Sequence, residues 1–114
     1  MLAHCALGLE FACGDRVGTQ AFLGRLITPF IKSRLLGEKP FGHGAPTGPG
    51  FVITGKRDFV AEKDRLTRLL DRFCAQGPEA ADRQIHSFFG RLSGDEWGRL
   101  MYKHLDHHLR QFSA

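Results

Sequence analysis

Two histidines, His104 and His108, stand four residues apart near the end of this 114-residue chain. On a helix that spacing stacks the two imidazoles on one side, where both can offer a nitrogen to the same cation. Neutral imidazole is a favoured ligand of zinc-type ions, and three protein ligands plus one open position make a catalytic rather than a closed site. A pair is therefore half a site, and the remaining histidines are its possible partners. His4 lies in MLAHCALGLEFAC, a stretch small or apolar on nearly every side. A buried imidazole there must either coordinate something or bond a backbone carbonyl at the core edge. Leu7, Gly8 and Phe11 come round to the same side as His4, and Gly8 leaves a space one turn on for another helix or a small ligand.

The other titratable groups have plainer readings. His107 faces further towards the polar side of its helix and is placed to relay a proton. Tyr102, nearly opposite His104, reads as a surface or interface residue. His43 sits in a Gly/Pro-rich loop, either lining the site or exposed, and His86 reads as the pin of a turn. Cys5, Cys13 and Cys74 form no Cys-x-x-Cys pair. We read all three as reduced and none as a nucleophile; Cys5 is roughly 100° round the helix from His4.

The elements that must position these groups are helical. Residues 93–112 have Ser93 as N-cap, Glu96 closing a capping box, and Leu92 with Trp97 as a hydrophobic staple. Trp97, Met101, Leu105, Leu109 and Phe112 form an apolar stripe flanked by Leu100, with Arg99, Lys103, Asp106 and Arg110 opposite. A second helix over 58–75 buries Phe59, Leu66, Leu69, Leu70 and Phe73 and exposes Glu62, Lys63, Asp64, Arg65 and Arg68. Gly77-Pro78 stops it. Residues 2–13 form a well-buried opening helix. Residues 19–36 have helical spacing but are expected to break at Pro29, which cannot donate the internal bond. Residues 37–55, GEKPFGHGAPTGPGFVITG, form a long loop that matches no phosphate-binding fingerprint. Within it, FVIT is expected to lie extended against the domain. A helical turn over 79–83 leads into the connection IHSFFG.

The chain suits a single all-α domain, 1–114. Hydrophobic residues make up 42% and charged residues 25%, an ordinary globular composition, and no apolar run approaches a membrane span. The opening lacks a basic n-region and contains His4 and Glu10, so we read no export signal and a cytoplasmic protein. The formal charge of +4 is spread among acids, which argues against a nucleic-acid partner. Three or four helices of this length make a thin core, and a homodimer is the expected remedy.

The run HSFFGRLSGDEWGRLMYKHLDHHLRQF closely resembles the DinB-like proteins, specifically the branch called DUF1569. The resemblance implies a four-helix-bundle fold, commonly dimeric, with a divalent metal on three histidines. The family's pair a turn apart on the last helix matches His104 and His108, and the glutamine that follows matches Gln111. The stretch LAHCALGLEFACG resembles the family's second helix and places His4 at the third ligand position. His107 matches the remaining histidine of the run. The family's first helix has no counterpart here, so the expected fold is N-terminally shortened. Relatives in the superfamily use low-molecular-weight thiols. The resemblance thus implies a zinc or nickel site and a thiol transferred to a small electrophilic substrate, with His107 as the catalytic side chain. The alternatives are a non-catalytic metal-binding or structural helical dimer and, from the net charge together with the DNA-damage context of the superfamily's name, a weaker one of nucleic-acid association.

Overall fold

The computed structural model describes residues 1–42, 48 and 50–113. Among these the chain is mainly helical: α1 Leu2–Ala12, α2 Phe22–Leu35, α3 Phe59–Gln76, α4 Pro78–Ala81 and α5 Gly94–Gln111. A two-stranded antiparallel hairpin, β1 Ile85–His86 and β2 Gly90–Arg91, lies between α4 and α5.

The start of α5 follows from its first residues. The Ser93 side chain accepts from the Glu96 N–H at 3.1 Å, and the Glu96 carboxylate accepts from the Ser93 N–H at 2.9 Å. Two donors without helical partners are thereby satisfied reciprocally. Leu92 and Trp97 on either side of this box are fully buried. At α3 the Asp58 carboxylate caps the Ala61 N–H at 2.7 Å, and Gly77, at φ 78°, ends the helix. Pro78 then opens α4 at a position where its missing N–H costs nothing.

Helix α1 is the centre of the core. Its buried residues are Ala3, Cys5, Ala6, Leu7, Gly8, Leu9 and Ala12, which leave little of its circumference to solvent. It packs chiefly on α3, and also on α5, while α4 packs on α5. Leu66 and Leu69 of α3, Phe89 and Leu92 of the hairpin region, and Trp97, Leu100 and Met101 of α5 close the cluster. Where α1 meets α3, Glu10 bonds Arg65 and pairs with Arg16. Burial pushes the Glu10 carboxyl up, but the hydrogen bonds from Arg16 and Arg65 outweigh it and hold the group below its ordinary range.

Several expectations are corrected. The segment over 19–36 is not broken: α2 runs through Pro29, beginning only at Phe22. One lost internal bond is tolerated because the Pro29 side of the helix is exposed, where water can reach the freed carbonyl. Phe59 and Phe112 are exposed, being at the ends of their helices beyond the core. Lys103 is buried instead of solvated: its ammonium donates to the carbonyls of Leu35 and, at 2.8 Å, Gly37, satisfying the C-terminal end of α2. Burial lowers its pKa. Arg65 likewise turns inward from the polar face to meet Glu10.

Helix α2 hangs on the hairpin and on the first turn of α5 by close and polar contacts. Gln20 donates to the Phe88 carbonyl at 2.9 Å, the Ala21 N–H donates to Ser87 at 2.8 Å, and Lys32 pairs with Glu96 at 3.0 Å. A side chain at Gly24 would place its Cβ 2.0 Å from the Phe88 carbonyl oxygen, so only glycine allows this approach.

His86 pins the hairpin as expected. Its Nδ1 accepts from the N–H groups of Phe88 and Phe89, each at 3.0 Å. Burial pushes its pKa down to about 4, keeping it neutral and an acceptor. The unfolded chain, with an ordinary histidine, therefore binds the extra proton between about pH 6.5 and pH 4. Stability from this group is complete above that window and lost as pH falls through it. We expect urea denaturation of the metal-free protein to show roughly 2 kcal/mol less stability from His86 at pH 5 than at pH 7.5. His86→Ala should be less stable at pH 7.5 yet have a flatter pH dependence; an unchanged slope would disprove the assignment.

Candidate metal centre

The packing of α1 on α5 brings three of the histidines together. His4 from α1 and His104 and His108 from α5 each offer a ligand atom, and these atoms all lie within 4.8 Å of one another. The three ring centroids are 4.8–4.9 Å apart pairwise. All three residues are half-buried. The space at Gly8 faces this crossing: a Cβ there would lie 3.7 Å from His104 Nδ1 and 3.8 Å from the Met101 sulfur. Those distances are ordinary contacts, so the crossing leaves room for a small side chain at this position beside His104.

The hydrogen bonds orient the rings. His4 Nδ1 donates to the Phe51 carbonyl at 2.8 Å, which leaves the Nε2 lone pair directed inward. His108 Nδ1 donates to Gln111 Oε1 at 3.0 Å, with the same consequence for its Nε2. The Nε2 atoms of His4 and His104 are 2.9 Å apart. Without an ion His104 must place its proton between them; an ion taking both lone pairs requires that proton to sit on His104 Nδ1. Ligands about 2.0–2.1 Å from a tetrahedral ion stand about 3.3 Å from one another, so this pair needs to open by only a few tenths of an ångström.

Electrostatics keeps the cluster ready for a cation. Burial, reinforced by His4 and His108, pushes His104 down to about 3. Burial also lowers His108, with His4 adding to the effect, and the bond to Gln111 only partly opposes this. Neutral imidazoles are the form in which histidine binds metal.

His107 lies beside the triad rather than in it, its ring 5.1 Å from that of His108 and 6.0 Å from Phe41. His86 is engaged in the hairpin, and His43 lies outside the described residues. Cys5 is buried, its thiol pushed up to about 11 by burial, and so cannot serve as a thiolate near neutral pH. Cys13 is also buried and free, and Cys74 is exposed and free. Tyr102 is exposed, in keeping with its place opposite His104.

The reading of the sequence missed Phe51. FVIT joins no sheet, but its first residue carries the carbonyl that orients His4, and its ring stacks on Phe11 at 5.6 Å. No periodicity signals a contact between residues 47 positions apart in the chain. Lys103 over the Phe41 ring, 4.8 Å from its centroid, was likewise hidden by its position on the polar side of α5.

The model of the family described as "Protein of unknown function (DUF1569)" matches residues 1–114. The chain belongs to the DUF1569 family. No curated protein and no solved structure matches it. No helix among the described residues is long and apolar enough to cross a membrane.

The hydrogen bonds fix the tautomers in a way that can be read directly. In metal-free protein, long-range ¹H–¹⁵N correlation spectra should show His4 protonated at Nδ1 and His86 at Nε2. An Nε2-protonated His4 would remove the basis for an inward-facing lone pair.

Proposed function

We propose that this DUF1569 protein is a DinB-like metalloprotein in which His4, His104 and His108 hold one divalent ion, zinc or nickel, through their Nε2 atoms. The single observation that carries this reading is three half-buried imidazoles converging from two helices, two of them with Nδ1 tied to a carbonyl oxygen. Three neutral nitrogen donors suit both metals, and three ligands leave a position for an exogenous group. When bound, such an ion would supply Lewis acidity and lower the pKa of a thiol or water at that open position.

The chemistry that fits is thiol transfer to a small electrophile. A low-molecular-weight thiol loses its proton, its sulfur forms a bond to an electrophilic carbon, and the leaving group departs with the bonding electron pair. His107, beside His108, is our candidate to carry the thiol proton towards solvent. No cysteine of the chain takes part: Cys5 is the thiol next to His4 in sequence, and burial keeps it protonated.

One observation favours a second reading. The 2.9 Å contact between His4 and His104 is itself a good hydrogen bond, so the cluster could act as a non-catalytic clasp between α1 and α5. Metal analysis separates the two. Protein purified without an affinity tag should carry close to one zinc or nickel per chain by mass spectrometry and lose it in His4→Ala, His104→Ala and His108→Ala. Gln111→Ala should weaken metal affinity by about 10–100-fold. His107→Ala should keep the metal and lose turnover of thiol with electrophile. Full retention of metal in His4→Ala would show the third ligand to be misassigned. A folded wild type that takes up neither metal leaves only the clasp.

A further inference from the structure

Helix α2 has two faces of opposite character. Gly24 and Thr28 are its buried residues, facing the hairpin. On the other side Phe22, Leu23, Leu26 and Phe30 are 75%, 60%, 54% and 83% exposed. At helical spacing Phe22, Leu26 and Phe30 form one stripe, with Leu23 and the exposed Pro29 on its two flanks. Single exposed apolar residues are ordinary, but a contiguous stripe with two phenylalanines marks a surface that is covered in use.

We propose that this stripe is a self-association surface, on which α2 packs antiparallel against α2 of a second copy about a two-fold axis passing by Leu26. The stripe is symmetric about that residue: Phe22 is four positions before it and Phe30 four after, Leu23 three before and Pro29 three after. Antiparallel self-pairing therefore sets Leu26 against Leu26, Phe22 against Phe30, and Leu23 against Pro29. Such like-on-like matching is what an isologous interface requires of a single patch. The area is also adequate: the exposed parts of these side chains come to roughly 500 Å² per protomer, or about 1,000 Å² in all, the lower limit of a specific interface. Charge does not oppose the pairing. Lys32 is already engaged by Glu96, and Arg25 and Arg34 lie to the sides of the stripe, where they stay solvated. The inference is independent of the metal reading, because no residue of the triad lies on α2.

A charge exchange at the axis tests both the surface and its symmetry. Leu26 is exposed, so Leu26→Arg and Leu26→Glu should keep the wild-type far-UV circular dichroism. Sedimentation velocity at tens of micromolar should give a two-chain mass for wild type and a one-chain mass for either variant alone. A 1:1 mixture of the two variants should return the two-chain mass, because Arg then faces Glu across the axis. A monomeric wild type, or a dimer that survives in both variants, would overturn the proposal. Failure of the mixture to associate would overturn the pairing about Leu26. Wild-type monomers that bind anionic phosphatidylglycerol vesicles, with binding lost in Leu26→Glu, would assign the stripe to a lipid surface instead and likewise overturn it.

Discussion

The structure depends on burying one short helix on nearly all of its sides. The buried residues of helix α1 are alanine, cysteine, glycine and leucine, with no bulky aromatic among them, so α3 and α5 can both come close to it. Small residues sacrifice apolar area per residue but allow close approach, and area is recovered from the larger partners Leu66, Leu69, Trp97 and Met101. The same closeness brings an imidazole of α1 within bonding distance of one on α5. The candidate centre is thus a consequence of how the core packs, not an addition to its surface.

That placement explains the electrostatics of the cluster. For His104 and His108, half-removed from water, desolvation comes first and repulsion from the neighbouring imidazoles acts in the same direction, against the cationic form. The pocket selects neutral nitrogen donors and directs them with a loop carbonyl and a glutamine oxygen. Cys5 experiences the same burial with the opposite result, held as an unreactive thiol. One physical cause, low access to water, prepares the histidines as ligands and disarms the neighbouring cysteine.

Helix α2 obeys a different logic. It is attached by a glycine contact, an ion pair and carbonyls satisfied from Gln20 and Lys103, rather than by a large apolar face. Polar attachments fix position and direction but contribute little net stability. Its apolar stripe is left facing outward.

The sequence alone determined what depends on neighbours within a few positions. The Ser93–Glu96 box, the stop at Gly77-Pro78, the helical phase of His104 and His108, and the role of His86 in its turn all involve groups less than one or two turns apart. Local geometry is fixed once the helix or turn forms, so these features were legible from residue types and spacing. His4 was legible in part: its apolar surroundings required a partner, and the resemblance to DUF1569 said which. What only the tertiary structure decided involves groups remote in the chain. The Phe51 carbonyl behind His4, Lys103 turned inward to the end of α2, Arg65 drawn to Glu10, and an unbroken helix through Pro29 belong to this class. In each of them a local preference, for solvent or for a break, is weaker than the requirement that buried polar groups be paired or that exposed ones reach water, and which groups are buried is known only once the helices have packed.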